Sequence, residues 1–182
     1  MNFIKVNQQL VKSKKNTIIL FYCSVLIMLI ITFYSGYKSA INFTTTGEII
    51  IGDILVETEF PYHGGMKLVN FLMIFSVISW FTAIKIYDDT IKNLTIRIKT
   101  LIQIISIIAA TITIYELVYN FTIWNSLITS NLFNNIFDPN NTTINYPIPE
   151  VPWNLYFTTQ MLFAALVITF HSFYVMTNSK KQ

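Results

Sequence analysis

Residues 100–124, TLIQIISIIAATITIYELVYNFTIW, decide the fold. This stretch carries one charge, Glu116, and as a helix rising 1.5 Å per residue it covers about 37 Å, enough for a hydrocarbon core of about 30 Å. At 100° per residue, Gln103, Ser106, Ala109, Ala110, Thr113, Glu116 and Asn120 fall within about 140° of arc. The other side is Leu101, Ile104, Ile108, Ile112, Tyr115 and Tyr119. Lipid should meet the isoleucines, and the polar and small stripe should meet other helices.

Three further apolar stretches of similar reach lie on either side. They are residues 17–37, 67–87 and 153–177. Lys67 and Lys85 border the second, and their stems can snorkel to the interface. The first is too long for a signal peptide's apolar region, and Phe33, Tyr34 and Tyr37 stand where small residues would mark cleavage. It reads as a retained anchor. The expected fold is therefore an all-α membrane protein, one domain over residues 1–182, built as a four-helix transmembrane bundle.

Composition agrees. Of the 182 residues, 53% are hydrophobic and 12% charged, against about 25% charged in an average soluble domain. This argues against a soluble enzyme or a secreted disulfide domain. A net charge of +3 from 12 basic and 9 acidic residues is too balanced for a nucleic-acid partner. Cys23 is the single cysteine, so the chain has no redox pair of its own. The five glycines, at 36, 47, 52, 64 and 65, sit at span ends or in loops, and GxxxG helix packing is absent.

Charge placement gives an orientation. Lys5, Lys12, Lys14 and Lys15 precede the first span, Lys85, Lys92, Arg97 and Lys99 lie around the turn between spans two and three, and Lys180 and Lys181 follow the fourth. Ten of the twelve basic residues thus share one side, opposite Lys38 and Lys67. Six acidic residues (Glu48, Asp53, Glu57, Glu59, Asp138, Glu150) fall on the other. By the positive-inside rule both termini are expected in the cytoplasm or its organellar equivalent. Lys92, Arg97 and Lys99, near Asp88 and Asp89, form a solvated inner loop able to meet anionic lipid heads.

The first outer loop, residues 38–66, should hold a small β-like element. Ile49-Ile50-Ile51 and Ile54-Leu55-Val56 flank Gly52-Asp53, which suits a type II′ hairpin turn. In the second arm Asp53, Leu55, Glu57 and Glu59 would share a face. Glu57, Glu59 and His63 have the chemistry for a divalent cation, although their spacing fits no fixed motif and a partner-facing or solvated edge is the other reading. The second outer loop, residues 125–152, is rich in Asn, Pro and Thr, with Pro147, Pro149 and Pro152 favouring extended backbone. Trp124 and Trp153 bracket it as interfacial anchors. Of five N-x-[ST] sites, Asn42, Asn140 and Asn141 are placed for glycosylation, whereas Asn93 lies on the inner side and Asn120 too close to the bilayer.

The other spans carry weaker polar rows: Trp153, Gln160, Ala164 and His171, with Thr158, Ala165, Thr169 and Ser172 beside them, in the fourth; Thr17, Ser24, Met28, Thr32 and Ser35 in the first; Ser76, Ser79 and Ala83 in the second. A charge near the bilayer centre costs at least ~2.5 kcal/mol, so Glu116 should be protonated, paired or wetted. With Glu116 and His171 each about 9 Å from opposite surfaces, some 12 Å of core separates them. Direct pairing fails, and a proton relay would have to run through Gln160, Thr113 and water. Walker, HExxH, GxGxxG and serine-nucleophile motifs are all missing, and no cofactor is implied.

The layout resembles the claudin-like tetraspan architecture: both ends inside, a β-capable first outer loop and a shorter second one. Residues 38–66 contain neither tryptophan nor cysteine, so that family's first-loop signature is missing and its barrier function does not carry over. Three roles remain. The first is a non-catalytic membrane subunit or assembly partner, with the bilayer and other membrane subunits, or further copies of itself, as partners. The second is a small-solute, proton or cation transporter using the stripe Gln103, Ser106, Thr113, Glu116 and Asn120 together with Gln160 and His171. The third is a membrane enzyme or metal-handling protein using Glu57, Glu59 and His63.

Overall fold

The computed structural model describes residues 2–61, 66–133 and 153–179, with side chains placed for 14–61, 66–130 and 154–179. In chain order the elements are α1 (Asn2–Thr46), α2 (Ile51–Glu57), β1 (Glu59–Phe60), β2 (Met66–Lys67), α3 (Leu68–Ile86), α4 (Asp88–Lys92), α5 (Ile96–Phe133) and α6 (Trp153–Asn178). Within α1, α3, α5 and α6 lie four segments long and apolar enough to cross a membrane. This is the expected all-α, four-helix membrane fold. The remaining structure of the second outer loop, its prolines, and Asn140 and Asn141 lie outside the described residues.

Two helices run well past their apolar cores. α1 is 45 residues long and α5 is 38, against expected spans of 17–37 and 100–124. Backbone hydrogen bonding does not stop at a bilayer surface, and polar flanks free of Pro and Gly continue the helix. α1 stops at Gly47, whose φ of 76° lies in the left-handed region and whose N–H bonds Phe43 O at 3.0 Å. This is a glycine C-terminal stop. Asn42 reinforces it, donating from Nδ2 to Thr46 Oγ1 at 2.8 Å and to the Glu48 carbonyl at 3.2 Å. Its side-chain nitrogen, the atom a glycan would use, is engaged in closing the helix.

The hairpin expected at Gly52-Asp53 is not there. Residues 51–57 form the helix α2. The β element lies just beyond, where β1 pairs antiparallel with β2 in the register Glu59↔Lys67 and Phe60↔Met66. A short β-branched run cannot be assigned by pattern alone, and here tertiary packing decides. As a helix, residues 51–57 place Leu55 and Val56 side by side against Ile31 of α1 and Leu68 and Val69 of α3. Tyr156, Phe157 and Met161 of α6 close that cluster. The expected face of Asp53, Leu55, Glu57 and Glu59 is broken, since Leu55 is buried and Glu57 exposed. Ser39 of α1 pins the entry to α2 by accepting the Ile50 N–H at 3.0 Å.

The spanning helices stand in an open row. α1 packs on α3, α3 on α6 and α6 on α5, with α2 lying across α1, α3 and α6 at one end. α1 buries one stripe, Thr17, Ser24, Ile31, Ser35 and Ser39, at helical spacing toward its neighbour. α3 has neighbours on two sides and is enclosed on neither remaining side, so every residue from 70 to 80 is half-buried. Small residues on facing stripes let the backbones approach, which favours van der Waals packing in lipid.

Candidate functional site

The seam between α5 and α6 gathers most of the intramembrane polar residues. On α5, Ser106, Ala110, Thr113, Leu117 and Asn120 are buried, with Gln103, Ala109 and Glu116 half-buried at the margins. Leu101, Ile104, Ile108, Ile112, Tyr115 and Tyr119 are all exposed. The predicted polar face therefore meets α6, and the isoleucine face points outward.

Two amide–hydroxyl bonds stitch the seam. Gln103 Nε2 donates to Thr177 Oγ1 at 2.8 Å, and Asn120 Nδ2 donates to Thr159 Oγ1 at 3.3 Å. Each threonine also donates its own proton within α6, Thr177 to the Phe173 carbonyl and Thr159 to the Leu155 carbonyl, both at 2.8 Å. A hydroxyl offers one proton and two lone pairs, so one threonine serves both its own helix and its neighbour. Thr113 bonds only within α5, to Ala109 O at 2.7 Å. Thr159 and Thr177 were not among the residues singled out above. Their separation of 18 residues, five turns at 3.6 per turn, was the available signal.

These bonds fix the antiparallel register, and with it the depth of each titratable group. Glu116 stands level with Phe163 and Ala164 of α6, seven or eight residues and about 11 Å from His171. Tyr156 ties α6 to α3, its hydroxyl donating to Asn70 Oδ1 at 3.2 Å. Glu116 is thus about 15 Å along the axis from the start of α6 at Trp153, close to the middle of that 26-residue helix. Among the described residues its carboxyl has no hydrogen bond or ion pair.

A Glu116–His171 relay does not fit this geometry. Gln160 stands level with residues 119 and 120, beyond Glu116 and away from His171, so it cannot bridge them. The His171 ring turns to α3, with its centroid 4.0 Å from that of Phe81, and its buried Nδ1 has no partner among the described residues. Trp80 Nε1 of α3 is in the same condition. Cys23 is exposed on α1.

At the end where α6 begins, Asn120, Ile123, Asn154, Leu155 and Thr158 line an open groove of about 290 Å³ between α5 and α6. At the other end, lysines tie the helices together. Lys99, 5% exposed, donates Nζ to the Lys92 carbonyl at 2.8 Å and the Ser179 carbonyl at 2.9 Å. These carbonyls belong to the finishing turns of α4 and α6, where a cation also meets the helix dipole favourably. Lys14 reaches Asp89 at 3.4 Å, and Lys92 reaches Asp88 at 2.8 Å. The Asp88 hydrogen bond and charge raise the Lys92 ammonium above the ordinary lysine range. Lys14, the turn between α3 and α5, and Ser179 therefore share one end of the molecule.

The first-loop acidic pair is less concentrated. Glu57 is exposed at the last turn of α2, and Glu59 sits opposite Lys67 in the β register. His63 lies outside the described residues. Among those described, no group of three or more His, Cys, Asp or Glu is arranged to hold a metal. Trp153 begins α6, and its side chain also lies outside the described set. Comparison with protein-family models, curated proteins and solved structures returns no match to this chain.

Proposed function

We propose that this chain is a non-catalytic, multi-pass membrane subunit whose work is to assemble with other membrane proteins, inserted with its lysine-tied end in the cytoplasm. The supporting observation is the α5/α6 seam. The side chains that would line a solute route, Gln103 and Asn120, are spent on bonds to Thr177 and Thr159, while Ser106 and Thr113 are packed between the helices. Polar groups used this way hold helices together. The open row leaves α1 and α5 each with one spanning neighbour and their broad outer faces available to lipid or to another subunit.

Purification from native membranes in mild detergent tests the reading. Stoichiometric co-purifying membrane subunits are expected, and a protein recovered only as a lone monomer overturns it. One observation favours transport as a second reading, namely a carboxyl at mid-depth. In that case Glu116→Gln should abolish proton or cation flux in liposomes, whereas the subunit reading expects no such flux in the wild type.

A further inference from the structure

We propose that Glu116 is the docking point for a transmembrane helix of another subunit, one that carries a lysine or arginine near its own mid-depth. The proposal rests on the subunit reading and names the chemistry of the partner.

Glu116 is the only acidic residue within the four spans, and register places it close to the middle of α6. Hydrocarbon offers an ionised carboxyl neither water nor counter-charge, so such a group persists where something pairs with it. Nothing in this chain does so among the described residues. Lys14, Lys67, Lys85, Lys92 and Lys99 sit at the ends of the spans, and His171 is about 11 Å away along the axis with its ring tilted against Phe81. A second copy of the chain would bring another mid-depth carboxyl and no mid-depth cation. The complementary charge must therefore come from a different polypeptide.

The approach is open. Stepping 100° per residue from Thr113 at the centre of the buried face, Glu116 lies about 60° to one side, as do Asn120 and Ile123 at smaller and larger angles. Asn120 and Ile123 line the groove with Asn154, Leu155 and Thr158, and Glu116 is one turn below Asn120 on α5. A helix laid along this margin would pack its small or polar side chains at Asn154 and Thr158 and bring a basic side chain to Glu116 one turn deeper. Burying carboxylate and cation against each other removes two unfavourable charges from lipid in one contact.

The full chain reconstituted in lipid vesicles provides the test, read by energy transfer to labelled synthetic helices. Three polyleucine peptides are compared: one without charge, one with a central lysine, and one with the lysine moved two turns toward an end. The central-lysine peptide should bind at least tenfold more tightly than the other two. Glu116→Gln should erase that preference, and Glu116→Asp should keep it. Equal affinities for the three peptides with the wild-type chain, which requires no variant to fold, would overturn the proposal. So would a preference that survives Glu116→Gln. If native subunits co-purify equally with the wild type and Glu116→Gln, the subunit reading stands and this docking point falls. If none co-purify with either, the subunit reading falls, and the peptide comparison still judges the site.

Discussion

Thr159 and Thr177 each satisfy a carbonyl of their own helix while accepting an amide proton from α5. Such interhelical bonds are modest in lipid, because the separated helices also find partners. A double-mutant cycle on Asn120→Leu and Thr159→Val should give a coupling of about 0.6 kcal/mol and no more than about 1.7, measured by reversible unfolding in bicelles. Lys99 is a different case. Its ammonium is nearly sealed from solvent and bonds two carbonyls at helix ends, so Lys99→Met should cost about 1.5–3 kcal/mol in the same assay. Glu116 has the opposite sign. With no partner among the described residues, Glu116→Leu should ease insertion of α5 by about 3 kcal/mol on a translocon scale, read by glycosylation mapping in microsomes. An unchanged insertion efficiency would mean that the carboxyl is already satisfied.

At the scale of elements, the spans were legible because lipid imposes one rule on every residue within them. The α5 stripe was legible too, since a helix with one spanning neighbour has only one face to bury, and Gln103 through Asn120 trace it. The residues of α6 were harder to read. That helix touches α3, α5 and α2, so several of its faces are covered, and Thr159 and Thr177 vanish among other small and polar residues. Ile49–Val56 reads as a hairpin because it satisfies strand preferences locally, whereas the conformation of α2 is set by Ile31, Val69 and Met161 from distant segments. Leu55→Ala should therefore destabilise the α2 end of the bundle by about 2–5 kcal/mol, visible as faster hydrogen exchange in residues 51–57. The same substitution in a solvent-facing hairpin would cost far less.

On the scale of the whole molecule, the row α1–α3–α6–α5 has a charge-tied end and an apolar-capped end. Lysine contacts join α1 to the α3–α5 turn and α5 to α6 at one, while α2 bridges α1, α3 and α6 at the other. By the positive-inside rule the lysine-tied end is the one expected in the cytoplasm. Thiol labelling in sealed, oriented vesicles tests it most directly. In a Cys23→Ser background, single cysteines placed at Lys15, Lys92 and Ser179 should react with a membrane-impermeant maleimide from one compartment only, and a cysteine at Glu48 only from the other. Labelling of Lys92→Cys and Glu48→Cys from the same compartment would contradict the four-span account.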